Sequence, residues 1–513
     1  MTRSANVVIV GAGPAGVRAA ETLVEAGVRP IVLDENARWG GQIYRQPPAA
    51  AGFRRGPRAL YGFEARKAAA VHAAMARLLP HLEYRPNTLV WACDTHEGRM
   101  DSTNQASPAR DASDAPRSGI AGRLATLSGT REQDVPFTHL IIASGATDRV
   151  LPMPGWTLPG VYTLGAAQTA LKSQGCAIGR RVVFAGTGPL LYLVAYQYAK
   201  AGAKVLAVLD TSATAKQAAA LGALAAQPSV LAKGLYYVAW LQAHGIRIER
   251  GVTLEGVLGE GHVQGIAWRS SGAPANADAP PHTLECDAIG YGFGLRPETQ
   301  LADVAGCRFG YDTLNRCWLP ERDEAGRTSI RGIYIAGDGA GIAGADAAEQ
   351  SGRLAALAVL DDLSGPDFAP SAKRTATRVE TAASTRRALQ RIATFRSGLD
   401  AAFPAPFERA AAWPDAMTVC RCEEVDAGTL RQCIRSGAAT EINRLKALTR
   451  VGMGRCQGRM CGEAALALLA DETKLTPSLL GRLRAQAPIK PIPLAAALCD
   501  EAVAEVPEDA RDE

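Results

Sequence analysis

The stretch Val7-Val8-Ile9-Val10-Gly11-Ala12-Gly13-Pro14-Ala15-Gly16 decides the fold. Four β-branched residues read as a buried strand, and the next six fit G-x-G-x-x-G. An apolar helical pattern then runs from about Ala15 to Ala26, and Pro30-Ile31-Val32-Leu33 forms a second strand ending at Asp34. This order is the opening of a dinucleotide-binding βαβ unit. Gly11 permits the tight turn, Gly13 lets a pyrophosphate approach the backbone, and Gly16 lets helix and strand pack closely. The helix N-terminus at Pro14-Ala15 presents free N–H groups and partial positive charge to a phosphate. Asp34, 23 residues after Gly11, can accept hydrogen bonds from a ribose, with Glu35 as a less favoured substitute.

The same opening recurs. Val182-Val183-Phe184-Ala185 is a strand, Gly186-Thr187-Gly188-Pro189 a turn, and a helix runs to about Ala201 before the strand Val205–Leu209. Asp210 lies 24 residues after Gly186, which suits NAD over NADP. Leu191, however, stands where the third glycine belongs, and a bulky side chain there should push the helix off the strand. Gly186, Gly188 and Asp210 are candidate contacts for NAD or another adenine nucleotide such as ATP, or else the unit is empty. Cys176 stands alone before it, so disulfide-reductase chemistry through Cys-x-x-Cys is not expected. Three further segments surround the first motif: Gly40-Gly41-Gln42, the strand Leu140–Ala143 ending at Ser144-Gly145, and the strand 332–336 followed by Gly337-Asp338-Gly339. Asp338 alone reads equally as an N-cap for the next helix.

At 513 residues the chain suggests about three or four domains. A net charge of +5 is small for this length and gives no reason to expect nucleic acid. No apolar run reaches the roughly 18 residues of a membrane span. Met1-Thr2-Arg3 leads almost directly into the first strand, leaving no room for a signal peptide. The expected compartment is the cytoplasm, with attachment to the face of the inner membrane open. There thiols stay reduced, so eleven cysteines need a reason other than disulfides. Cys93, Cys176, Cys286, Cys307, Cys317, Cys433 and Cys499 are scattered and read as small hydrophobes. The seven histidines lie in no motif, and no acid–base pair stands out as a catalytic site.

The other four cysteines are grouped. Cys420 and Cys422 form C-x-C, and after 33 residues Cys456 and Cys461 form C-x4-C. Four thiolates suit a [2Fe-2S] cluster and equally a tetrahedral zinc. Gly452, Gly454 and Gly458 let backbone N–H groups approach sulfur, which leans toward iron–sulfur. Lys446, Arg450, Arg455 and Arg459 can offset the charge of a four-thiolate cluster, or can be a solvated face.

With these motifs in place, the chain resembles the two-dinucleotide-domain flavoproteins of the thioredoxin reductase-like, pyridine nucleotide-disulfide oxidoreductase type. That resemblance implies FAD, with the Asp338 carboxylate on its ribityl chain, Gln42 near the flavin, and Gly41, Ser144, Gly145 and Gly337 lining the site. Residues 413–475 resemble the bacterioferritin-associated ferredoxin-like [2Fe-2S] domain, most specifically from Lys446-Ala447-Leu448-Thr449-Arg450 to Cys461. From Gly11 to about Cys461 the chain resembles the large FAD/[2Fe-2S] subunits of heteromeric amine dehydrogenases, such as opine oxidases, hydrogen cyanide synthase and dye-linked proline or hydroxyproline dehydrogenases. Leu191 departs from a clean NAD motif, as is common in such subunits. The resemblance implies a smaller FAD-dependent amine oxidase-like partner with FMN as a candidate at the interface. It also implies a respiratory electron acceptor.

The expected fold is α/β: two Rossmann-like domains and a small helical cluster domain. An FAD domain spans 1–165 and 285–365, with a loop or hairpin extension at 97–122. A second dinucleotide domain spans 166–284, a connector 366–412 and the cluster domain 413–475. An acidic tail, disordered or partner-contacting, occupies 476–513. Two other readings stay open: an NAD(P)H-dependent reductase serving a ferredoxin-like partner, and a non-enzymatic nucleotide-binding scaffold with structural zinc.

Overall fold

A computed structural model describes residues 6–48, Gly52, and 55–95, 120–270, 280–363 and 372–497. Two parallel five-stranded sheets form its centre. The first runs Ile333–Ile335, His139–Ile142, Val7–Val10, Ile31–Leu33, Glu83–Arg85. The second runs Arg247–Arg250, Lys204–Asp210, Arg181–Thr187, Ala288–Phe293, Val161–Thr163. Their Val- and Ile-rich strands are buried on both faces, as a parallel sheet covered by helices requires. Each sheet carries a three-stranded antiparallel meander, Thr88–Thr95 with Gly122–Ser128 and Arg131–Phe137 on the first, and Val252–Leu258 with Gly265–Ser270 and His282–Glu285 on the second.

Two expected domain limits move. Val161–Thr163 belongs to the second sheet although it precedes residue 166, and Ala288–Phe293 belongs there too, so the chain returns to the first domain only after Phe293. The apolar run 288–293 fits either sheet by pattern; its pairing to Arg181–Thr187 decides. Ala146–Asp148 pairs antiparallel with Leu295–Pro297 where the chain crosses between the domains. The expected extension at 97–122 lies almost wholly outside the described residues. Its flanking strands pair antiparallel.

After Phe293 the chain brings its last strand to the edge of the first sheet, and the helix Ala345–Asp362 packs on the first helix, Pro14–Glu25. The approach is close: a Cβ at Gly352 would collide with the carbonyl oxygen of Ala15, and one at Gly337 would lie 3.0 Å from the Ala15 Cβ. The connector is largely one helix, Ala372–Ala402, packed on Ala345–Asp362.

The cluster domain consists of the short strands Thr418–Cys420 and Val425–Asp426 and the helices Ala427–Arg435, Ile442–Thr449 and Gly462–Thr473. Asp426 and Glu441 cap the first two helices through backbone N–H groups. Its buried residues, including Val419, Leu430, Leu445 and Leu468, join Val183, Ala207, Ile289 and Trp268 of the second domain in one continuous core. Of the expected disordered or partner-contacting tail from 476, the part as far as Ile489 packs on the protein itself. Leu480 is fully buried, Leu483 covers the cluster loop, and the Ile489 N–H donates to the Trp91 carbonyl at 2.9 Å. The seven acids of the tail lie outside the described residues.

Gly352→Val should force the two helices apart and destabilise the protein by about 1–3 kcal/mol. Gly234→Ala, where a Cβ meets nothing within 4 Å in the helix Pro228–Ala243, should be neutral or stabilising by up to about 1 kcal/mol. Thermal unfolding of the two variants checks the contrast.

Candidate functional site

The first glycine turn is built for close backbone approach. A Cβ at Gly16 would collide with the Gly11 carbonyl, and one at Gly11 with the Ala143 carbonyl, so strand, turn and helix meet backbone to backbone. Gly13 faces Gly41, whose own Cβ would lie 2.9 Å from the Gly13 Cα. The two loops thus form a side-chain-free cradle at the N-terminus of Pro14–Glu25, and this arrangement fits a pyrophosphate. Asp34 is 5% exposed; its Oδ2 accepts the Ala12 N–H at 2.6 Å and its Oδ1 accepts the Asn36 N–H at 2.7 Å. Burial raises its pKa against these hydrogen bonds. Glu35 is partly exposed and pairs with Lys490.

Three more predicted segments converge here. Asp338 Oδ1 accepts the N–H groups of Ala343 and Gly344, each at 2.9 Å, so Asp338 braces the turn that leads into the helix Ala345–Asp362 and is not its N-cap, which is Gly344. Ser144 Oγ donates to the Glu298 carbonyl at 2.6 Å, and the Glu298 N–H donates to the Gly145 carbonyl at 3.0 Å. Gly339 fits between them, where a Cβ would lie 2.8 Å from Ser144 Oγ. Gln42 is exposed, and its Oε1 accepts from Arg45 at 2.6 Å.

The second unit is a near copy with its ligand contacts turned inward. Gly186 is needed because a Cβ would collide with the Gly292 carbonyl of the neighbouring strand. Asp210 is fully buried; Tyr192 donates to it at 2.6 Å, the Ser212 N–H at 2.8 Å and Gln217 at 3.0 Å. Burial raises its pKa. Leu191 does not push the helix away but fills the core beneath it, fully buried beside Leu164 and Val194. Gly188 keeps φ +101° at the helix N-terminus with open space around it.

The four grouped cysteines come together. The Cys461 thiol lies within hydrogen-bonding reach of both Cys420 and Cys456, and Cys456 is also in reach of Cys422. Among the described residues no three Cys, His, Asp or Glu side chains are arranged to hold one metal ion; the four thiols instead follow one another as a chain of contacts. Backbone N–H groups of Gly452, Glu423 and Cys422 point at the Cys420 sulfur, and those of Met460 and Gly458 at Cys456. The hydrogen bond from Cys461 is the main cause that lowers Cys420 to about 6 and Cys456 to about 5; its own thiol is pushed up by donating. Peptide N–H groups aimed at Cys420 and Cys456 are the donors that the sulfurs of an iron–sulfur cluster accept from. Gly454 lies against Cys422, where any Cβ would collide.

The basic residues divide. Arg450 pairs with Glu423 at 2.7 Å, and Arg459 makes a two-pronged pair with Glu298 at 2.7 and 3.0 Å. Lys446 is buried and donates to the Arg484 carbonyl, while Arg455 is exposed. Burial opposes the charge on Glu298, but Arg459 overcomes it and holds the carboxyl below its usual range. Arg149 and Glu463 make a second buried pair, at 2.7 Å, between the crossing strand region and the cluster domain. Neither acid carries a sequence signal, because each partner lies more than 160 residues away.

Comparison with known proteins agrees with this geometry. The sequence model of the pyridine nucleotide-disulphide oxidoreductase family matches residues 5–353, and that of the BFD-like [2Fe-2S] binding domain matches 418–471. An opine oxidase subunit of Agrobacterium tumefaciens (strain Ach5) is 36% identical over 498 residues, covering 96% of this chain and 90% of the relative. The HcnB subunit of hydrogen cyanide synthase from Pseudomonas aeruginosa is 31% identical over 499 residues, covering 95% and 97%. The crystal structure of L-proline dehydrogenase from P. horikoshii shares the fold, with a TM-score of 0.66 at 17% identity over 96% of this chain and 79% of that one. The chain belongs to the FAD/[2Fe-2S] oxidoreductase family that includes these opine oxidase and HcnB subunits. It is an FAD-dependent electron-transfer subunit whose cofactors are FAD and a [2Fe-2S] cluster. Among the described residues no helix is long and apolar enough to cross a membrane.

Cys422→Ser should remove the visible absorption and electron paramagnetic resonance signal of the cluster and leave the flavin spectrum, whereas Cys176→Ser, at an exposed lone thiol, should change neither. Asp338→Ala leaves two backbone N–H groups unpaired at the flavin cradle, a loss of about 1–3 kcal/mol. FAD retention through desalting should fall accordingly.

Proposed function

We propose that this chain is the electron-relay half of a heteromeric amine dehydrogenase. A smaller FAD-dependent subunit oxidises the C–N bond of an amino acid or opine, and this chain carries the electrons toward a respiratory acceptor, at the cytoplasmic side of the membrane. The observation that carries the reading is the joining, in one chain, of a flavin cradle and a four-cysteine loop by the buried ion pair Arg459–Glu298. The relatives are named as subunits of opine oxidase and hydrogen cyanide synthase, which supports a partner for this chain.

In this reading Gly11, Gly13, Pro14, Ala15 and Gly16 hold the pyrophosphate. Asp34 orders the turn beside the ribose by fixing the Ala12 N–H. Asp338 faces the ribityl chain, with Gly41, Gln42, Ser144, Gly145 and Gly337 closing the pocket. Cys420, Cys422, Cys456 and Cys461 hold the cluster, and the peptide N–H groups around them moderate its negative charge. Bound FAD exchanges electrons in pairs or singly and a [2Fe-2S] cluster exchanges them singly, so the two together convert amine oxidation into one-electron transfer.

The NAD(P)H-reductase reading is weakened by the second unit. Asp210, the group that would read the ribose, already takes three internal hydrogen bonds. Excess NADH should therefore leave the oxidised flavin of the purified chain unbleached. Co-expression with a neighbouring gene for an FAD amine oxidase-like protein should yield a complex that reduces a dye with amino acid or opine. Rapid bleaching by NADH, or zinc without iron and labile sulfide in the purified chain, would replace this reading with one of the alternatives.

A further inference from the structure

One residue touches both redox sites. The main chain of Glu298 bonds both residues of the Ser144–Gly145 loop, and its carbonyl lies beside Gly339, next to Asp338. Its side chain, 12% exposed, holds Arg459 in two-pronged fashion. Arg459 lies between Cys456 and Cys461, and its remaining nitrogen donates to the Ile489 carbonyl at 2.7 Å and to the Cys456 carbonyl at 3.3 Å. The flanking residues reinforce the contact: Arg296 donates to the Arg459 carbonyl at 3.0 Å, and Gln300 to the Gln457 carbonyl at 2.7 Å. Three alternate residues, Arg296, Glu298 and Gln300, thus grip one cysteine loop from the edge of the flavin site, the first and last through the carbonyls of Gly458, Arg459 and Gln457 and Glu298 through the Arg459 side chain.

We infer that Glu298 is the positioning residue for electron passage from FAD to the cluster, and that its charge also tunes the cluster. The inference rests on the relay reading above. In each passage the reduced flavin loses one electron and the oxidised cluster gains one; no bond is made or broken. The geometry acts in two ways. The paired hydrogen bonds to Arg459 fix the cysteine loop against the Ser144–Gly145 loop, which sets the separation of the two groups. The carboxylate also neutralises Arg459, a cation that would otherwise favour the more negative, reduced cluster.

The test uses the full chain with both cofactors bound. Flash photoreduction delivers an electron to the flavin, and arrival at the cluster is followed by its visible bleaching; the cluster's midpoint potential is titrated separately. Glu298→Gln keeps the volume and removes the charge. It should retain FAD and cluster, slow electron arrival about tenfold or more, and raise the midpoint potential. Arg459→Lys keeps the cation and loses the two-pronged geometry. It should slow arrival with a smaller potential shift, and it serves equally if Glu298→Gln does not fold. Glu64→Gln breaks another link between domains, the Lys233–Glu64 pair, which shares no residue with the cysteine loop or the segment that covers it. It should alter neither readout, which separates positioning from general loosening. Wild-type arrival rate and potential in Glu298→Gln, or in Arg459→Lys if only that variant folds, would overturn the inference. Absence of flavin-to-cluster transfer in the unaltered chain would instead overturn the relay reading itself.

Discussion

Backbone packed directly on backbone, at Gly16 and Gly352, is the constraint from which the rest follows. Without a Cβ at either place, the first strand, the first helix and the helix Ala345–Asp362 share one line of contact. That contact carries Gly337–Gly339, more than 300 residues downstream, back to the glycine turn where the chain began. A flavin cradle made of segments so far apart in sequence can exist only if the returning helix has one permitted position. Small residues provide it here, since any side chain at those points would open the layer and separate Gly337 from Ala15.

The cluster domain is held by a different physics. Its apolar residues do not close a core of their own but complete one with the second domain, whose Trp268 and Ile289 belong to the same buried cluster as Leu430 and Leu468. Around that apolar seam lie buried ion pairs, Arg459–Glu298 and Arg149–Glu463, and carbonyls capped by Arg296 and Gln300. The seam supplies adhesion by removing apolar surface from water. The ion pairs supply register, because an unpaired buried charge is far costlier than a displaced methyl group.

Much of this is legible from local sequence. Both glycine turns, their strands and the cysteine spacing announce themselves because a turn, a period or a ligand set is encoded within a few residues. Asp338 reads as an N-cap, whereas in the folded chain it braces the turn that precedes the capping residue Gly344. What is not legible depends on partners distant in the chain. Nothing around Glu298 marks it as the counterion of Arg459, and the strand Ala288–Phe293 has an apolar pattern that either sheet could accept. Leu191 reads as an obstacle because the motif assumes a glycine. In the folded chain its side chain fills the core the helix covers, and the neighbouring Tyr192 takes the acid that a ribose would have used. The tail reads as disordered from its prolines and acids, yet Leu480, Leu483 and Ile489 bury themselves before the acids begin.

The second dinucleotide unit has exchanged one trade for another. Its sheet serves as a pedestal: one face carries its own helices, and the other has become the floor of the cluster domain. A cluster mounted on a pedestal does not travel as a tethered carrier would. Its distance from the flavin cradle of the same chain is set at the time of folding.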